Sequence, residues 1–384
     1  MLTDGIKFKN FKLKIKNYKV KKKFSELLNE KNYILDSLKK NYTSSYSKQT
    51  LNKFKNAPQF KIIGMGGSTL GSQTIYEFLK QKIKKKFLFV DNLQPYKKTN
   101  SKEKYTNLII SKSGNTIETI VNANIIIKNK DKNIFITENK KNYLYLLAEK
   151  LKSDVIHHNN FIGGRYSVLS EVGMLPAELM GLNATKFRQL NNLVKNDKFI
   201  KSLTFNVSST IHFIKKNKFN SIILNYDEKS DNLFKWYQQL IAESLGKKKG
   251  GLLPVVSTMP KDNHSVMQLY LDGFKNNFFT FFYTHETKSQ KIKNRNILAS
   301  KKFLKNKDLS QVVYAQKKAT ENVFLKKKIP FRSFEIKERD EKTLGELFCF
   351  FILETILIGK CLNINPYDQP AVELIKQETH NLLR

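Results

Sequence analysis

The sequence predicts an α/β protein built from two mainly parallel sheets, each flanked by helices. Two observations carry this. From Phe60 to about His158, short apolar runs alternate with helical apolar spacing, giving strands at Phe60–Ile63, Phe87–Val90, Asn107–Ile110, Asn133–Thr137 and Val155–His157. A second unit begins near Leu193, with strands at Asn220–Tyr226, Asn277–Thr284 and Phe331–Ile336 and a helix over Asn232–Glu243. The expected division is 1–56 as N-terminal packing helices, 57–190 as the first α/β domain, and 191–384 as the second, whose C-terminal helices return to the site. Ligands of such sheets sit beyond the strand C-termini.

Ser111-Lys112-Ser113-Gly114-Asn115-Thr116 follows the third strand and leads into a helix through Ile120, Ala123 and Ile127. Free backbone N–H groups at a helix start, short hydroxyls and a lysine make an anion cradle of phosphate type. Gly64-Met65-Gly66-Gly67-Ser68-Thr69 repeats the design after the first strand. It lacks a Gly-Lys-Ser/Thr ending, and Thr stands where a dinucleotide fingerprint has its third glycine. Two Ser-bearing turns at strand ends therefore suit a small phosphorylated ligand better than a nucleotide.

Composition limits the remaining classes. The 384-residue chain is 40% hydrophobic and carries 69 Lys+Arg against 33 Asp+Glu, a formal charge of +36. Lysine is spread through nearly every block, often beside Asn, with no basic arm and no aromatic RNA-binding pattern. It therefore reads as solvated surface that steers anions inward, with no specific nucleic-acid partner. Cys349 and Cys361 share one apolar helical pattern, lack metal-ligand spacing and read as buried free thiols in a reducing cytoplasm. The most apolar stretch, Leu344 to Leu362, contains Glu346, Glu354 and Lys360 and reads as a buried helix, with no membrane partner.

Further groups could do chemistry. Gly163-Gly164-Arg165-Tyr166-Ser167 brings backbone close to something and aims a permanent charge at it; an interdomain ion pair is the alternative on local text. Gln239 and Glu243 stand at i and i+4, and Glu243-Ser244-Leu245-Gly246-Lys247 puts a carboxylate at a helix end, where spacing alone favours a solvated glutamate. His264 is expected at the start of a Val266–Asp272 helix, where the dipole would lower its pKa, with a capping role as the plain alternative. Asp368-Gln369-Pro370-Ala371-Val372-Glu373 leads to Lys376, with Pro370 expected in a first helical turn.

Together and in order, these segments resemble the glucose-6-phosphate isomerase (phosphoglucose isomerase) family, in a short bacterial-type form, from roughly Phe60 to Lys376. The resemblance implies two sugar-isomerase (SIS-type) domains, a homodimer, and interconversion of glucose 6-phosphate and fructose 6-phosphate without metal or cofactor. It implies that Gly67, Ser68, Ser111, Lys112, Ser113 and Thr116 hold the phosphate, and that Gln239 and Gln369 contact the sugar. It further implies Glu243 as the base between C1 and C2, Arg165 facing the enediolate, and His264 and Lys376 as ring-opening groups, His264 coming from the partner subunit. Pro370-Ala371 replaces the Trp-Gly of the most familiar members. Two alternatives stay open in the sequence: a sugar-phosphate-binding regulatory module without chemistry, and an isomerase that also accepts mannose 6-phosphate. A metal-dependent barrel isomerase does not fit, since of the six histidines only His157 and His158 are adjacent.

Overall fold

The computed structural model describes residues 1–95, 104–128 and 130–384. Ten strands run in chain order as β1 (Ile6–Lys9), β2 (Gln59–Gly64), β3 (Lys86–Val90), β4 (Thr106–Ile110), β5 (Asn133–Glu138), β6 (Asp154–His158), β7 (Asn220–Asn225), β8 (Leu253–Thr258), β9 (Asn277–Thr284) and β10 (Phe331–Ile336). They form two five-stranded sheets, ordered β3-β2-β4-β5-β6 and β1-β10-β9-β7-β8. Every pairing is parallel except β1 with β10.

Among the parallel strands flanked on both sides, β4, β5, β7 and β9 carry apolar residues on both faces, as buried parallel strands do. Ile62, Leu108 and Ile110 on the first sheet share one continuous core with Ile223, Phe278, Phe282 and Phe334 on the second. On the opposite face of the first sheet, Ile63, Ile109 and Phe135 belong to a smaller core under flanking helices. Ile222, Phe279 and Phe281 do the same behind the second sheet. The Glu341–Cys361 helix runs through the shared core, with only Lys342 and Lys360 leaving it. This is the apolar stretch that sequence reads as buried. No helix among the described residues is long and apolar enough to cross a membrane.

Three local expectations change. The first 56 residues are not all helical: Gly5-Ile6-Lys7-Phe8-Lys9 alternates apolar and basic residues, and Ile6–Lys9 adds an antiparallel edge to the second sheet. β8 is absent from the sequence reading because Pro254 interrupts its apolar run, and a proline is tolerated there because β8 lies at a sheet edge. The last helix is Val372–Leu382 with Ala371 as N-cap, so Pro370 precedes the helix instead of opening its first turn.

Candidate active site

The first sheet's order reverses between β2 and β4, and the crevice beyond their C-termini is where such a fold binds ligands. Gly64 pairs with Ile110, so the turns leaving both strands start side by side. Gly66 has φ +52°, and a Cβ there would lie 2.9 Å from Gln239 Nε2. At Gly67 a Cβ would fall 2.2 Å from the Gly164 carbonyl carbon. The β2 turn and the Gly163-Gly164-Arg165 turn are thus in backbone contact, which requires glycine.

The cradle after β4 is braced from its neighbour. Thr137 Oγ1 donates to the Lys112 carbonyl at 3.2 Å, and Asn142 Nδ2 donates to Thr137 Oγ1 at 2.9 Å. Asn142 lies over Gly114, whose φ is +65°. Ser111 is buried, and its hydroxyl meets Thr116 Oγ1 at 2.9 Å. Thr116 is the N-cap of the Ile117–Ile126 helix yet makes no side-chain cap, so the first amides keep their donors for an anion. Burial, countered by Glu138 and reinforced by Arg165, lowers the Lys112 pKa below that of an ordinary lysine. Ser68 is half-buried, and the exposed Ser113 accepts the Asn115 N–H at 3.3 Å.

Arg165 is 1% exposed and gathers the rest of the site. Its Nη1 donates to Glu243 Oε2 at 3.0 Å and Gln369 Oε1 at 2.6 Å. Nη2 donates to the Pro366 and Asp368 carbonyls, each at 2.9 Å, and Nε to Ser244 Oγ at 2.9 Å. Gln239 Nε2 donates to Glu243 Oε1 at 2.9 Å, while Gln239 Oε1 is buried and accepts nothing among the described residues. The Asp231–Leu245 helix supplies Gln239, Glu243 and Ser244, running two residues further than its sequence-read end. Lys247 pairs with Asp368 at 2.6 Å, tying the segment that bears Gln369 to the turn after Glu243.

Sequence-chosen residues from four distant segments therefore converge: Gly67, Arg165, the Gln239–Glu243 pair and Gln369. His264 and Lys376 do not join them. His264 ends a 3-10 turn, Lys261–His264, and the following helix starts at Met267, so His264 is exposed and outside the helix's first turn. Lys376 pairs with Glu373 at 2.7 Å on a helix that is exposed on every side. Neither bonds to the Arg165–Glu243 group. Sequence reasoning gave no role to Ser244, Tyr166 or Trp236, although the Trp236, Leu240, Ser244 spacing marks one buried helix stripe. Among the described residues, no cluster of three or more His, Cys, Asp or Glu could hold a metal ion.

The family model described as Phosphoglucose isomerase matches residues 25–384. This chain belongs to the phosphoglucose isomerase family. A glucose-6-phosphate isomerase of Methanocaldococcus jannaschii is 33% identical over 359 residues, 88% of each chain. A protein of Thermus thermophilus described as hypothetical has the same fold, with TM-score 0.81, 21% identity, and 96% of this chain and 94% of that one covered. A crystallised glucose-6-phosphate isomerase of Chlamydia trachomatis gives TM-score 0.67 and 17% identity, covering 91% of this chain and 78% of that one. Membership in the phosphoglucose isomerase family agrees with the resemblance carried by the six sequence motifs.

Proposed function

We infer that this protein interconverts glucose 6-phosphate and fructose 6-phosphate by proton transfer through an enediolate. The observation that carries the chemical reading is the Arg165–Glu243 contact beside a hydroxyl- and amide-lined cradle. Aldose–ketose exchange removes a weakly acidic proton from C1 or C2, so one base must take it and return it. Glu243 is that base: Gln239 and Arg165 each hold one of its oxygens, fixing the carboxylate plane. Negative charge then develops on oxygen, and the guanidinium of Arg165, already oriented, opposes it. Ser68, Ser111, Lys112, Ser113 and Thr116, with the backbone at Gly67, hold a phosphate that does not react. Its binding energy fixes the sugar against Glu243. Gln239 Oε1, buried with no partner, is free to accept from a sugar hydroxyl, and Gln369 presents a second amide.

Ring opening is assigned to His264 and Lys376. His264 is exposed and unbonded to its own site, which fits service in the site of a second copy. Cys349 and Cys361 are buried free thiols, burial pushing the Cys349 thiol up to about 12, and they fit a reducing, cytoplasmic setting.

The test is conversion of fructose 6-phosphate by the purified full-length chain with chelator present, beside Glu243→Gln. The wild type turns over, and the variant loses about 10²- to 10⁴-fold in kcat. Wild-type turnover in Glu243→Gln would overturn the base assignment. Mixing inactive Glu243→Gln and His264→Ala chains, then allowing exchange, should restore about a quarter of wild-type activity, because only one of two sites in each mixed dimer is whole. No recovery after proven exchange removes His264 from the partner's site.

A further inference from the structure

We propose that Ser244 and Tyr166 form a directed hydrogen-bond relay that holds the Arg165 guanidinium in register with Glu243, making both of them positioning residues for the proton transfer. The proposal rests on the roles assigned above to Arg165 and Glu243.

A guanidinium has five N–H donors, and Arg165 makes five hydrogen bonds. Two of these, from Nη1, go to side chains at the open part of the site, Glu243 and Gln369. The other three go inward. Two of the inward acceptors are backbone carbonyls, Pro366 and Asp368; the third is Ser244 Oγ, on a side chain with no exposure. Losing Gln369 to a ligand therefore leaves Arg165 held by Glu243, Ser244 and the two carbonyls.

The hydroxyl protons can be placed by elimination. Tyr166 Oη lies 3.0 Å from the Pro366 carbonyl, which can only accept, so the phenol proton points there. Burial raises the Tyr166 pKa to about 12, keeping that proton in place across neutral pH. Ser244 Oγ lies 2.9 Å from Tyr166 Oη, so the serine proton goes to the phenol oxygen. A lone pair on Ser244 Oγ is then left for the Arg165 Nε–H. The chain reads Arg165 Nε–H to Ser244, Ser244 O–H to Tyr166, Tyr166 O–H to Pro366, with every donor used once.

One helix thus grips Arg165 at both ends. Trp236 Nε1 donates to the Arg165 carbonyl at 3.1 Å, and two turns later Glu243 and Ser244 meet two edges of the guanidinium. Because Ser244 is the residue next to Glu243, the base and the guanidinium are referenced to the same turn of backbone. Removing the Ser244 hydroxyl orphans a buried Nε–H, and the guanidinium must move to find an acceptor. Displacement of an oriented charge by a fraction of an ångström lowers turnover without touching the phosphate cradle.

The test compares wild type, Ser244→Ala, Tyr166→Phe and the double variant. The readouts are kcat and KM for fructose 6-phosphate and the exchange rate of the Arg165 Nε–H, followed by NMR on arginine-labelled full-length protein. Ser244→Ala should lower kcat about 10- to 100-fold with KM within about threefold. Tyr166→Phe should cost less, and the double variant no more than Ser244→Ala alone, because the relay acts as one unit. The Nε–H should exchange slowly in wild type and at least about tenfold faster in Ser244→Ala. Unchanged kcat in Ser244→Ala, or losses that multiply in the double variant, overturns the proposal. If even the wild type fails to isomerise, the reading of the site has failed; protected Nε–H exchange that Ser244→Ala abolishes still upholds the relay, and unprotected exchange rejects it.

Discussion

The two sheets reverse their strand order at equivalent places, and the two crevices differ. The parallel strands of the first run β3-β2-β4-β5-β6, those of the second β8-β7-β9-β10, so the reversals fall at β2/β4 and β7/β9. Beyond β2 and β4 stand glycines, hydroxyls, uncapped amides and a desolvated lysine, with donors to spare. Beyond β7 and β9 the protein supplies its own anions. Arg339 Nη2 pairs with Asp227 Oδ1 at 2.5 Å and Glu286 Oε1 at 2.8 Å. Thr284 donates to Asp227 Oδ2 at 3.0 Å, and Ser230 donates to the same oxygen. Lys229 adds a second cation to Glu286, and Arg339 also covers the Phe78 ring of the first unit. One crevice of a repeated architecture is left unsatisfied and suits a phosphate. The other is closed largely by internal ion pairs, although the buried Arg339 Nη1 has no partner among the described residues, and it joins the two units. A crevice that binds must keep polar groups unpaired, at a cost to stability.

This contrast can be broken at either end. The largest effect on turnover is expected from Gly67→Ala, since the new Cβ would overlap the Gly164 backbone. It should separate the cradle turn from Arg165 and cut kcat by about 100-fold or more, by the sensitivity of turnover to misplacement. Turnover within threefold of wild type would mean the backbone contact is dispensable. Next, Ser111→Ala with Thr116→Ala should raise KM roughly 10- to 100-fold, the loss of two hydrogen bonds to a charged group, with a smaller change in kcat. Arg339→Met at the closed crevice should do the opposite. It leaves Asp227 and Glu286 without their buried partner, lowering unfolding stability by about 3 kcal/mol while kcat and KM of the folded protein stay within about twofold. A large KM effect there would show that the second crevice also serves the substrate.

The smallest effect concerns pH. Burial lowers the Lys112 pKa, so its charge is lost at a lower pH than that of an ordinary lysine. The competitive inhibition constant of inorganic phosphate should therefore weaken as pH rises through the alkaline range below 10.5, the reference value. Lys112→Gln should bind phosphate less tightly and abolish that limb; a limb that persists belongs to another group.

The open crevice was far more legible in the sequence than the closed one. Gly66, Gly67, Gly114, Ser111 and Thr116 announce themselves, because turns with positive φ and close backbone approach restrict residue type at neighbouring positions. Asp227, Glu286 and Arg339 are scattered, ordinary charges whose meaning comes only from strand order. The Gln239–Glu243 pair was visible as helical spacing and is observed as a hydrogen bond. Arg165 was visible as a charge after two glycines, but its choice between ion pair and catalytic donor was not. It does in fact make an ion pair, with Glu243. Ser244 was hidden because a serine inside an apolar helix stripe looks like filler until Arg165 is seen beside it. β1 and β8 were missed for different reasons: one is a four-residue strand in a lysine-rich stretch, and the other carries a proline.

The central claim is that the open crevice takes the phosphate and points the sugar at Glu243. The most direct test is a crystal structure of the full chain with fructose 6-phosphate. Phosphate oxygens should lie within hydrogen-bond distance of Ser111, Thr116 and the first amides of the Ile117–Ile126 helix, with C1 and C2 against the Glu243 carboxylate. A phosphate bound at Arg339, or a sugar whose C1 and C2 face away from Glu243, would contradict it.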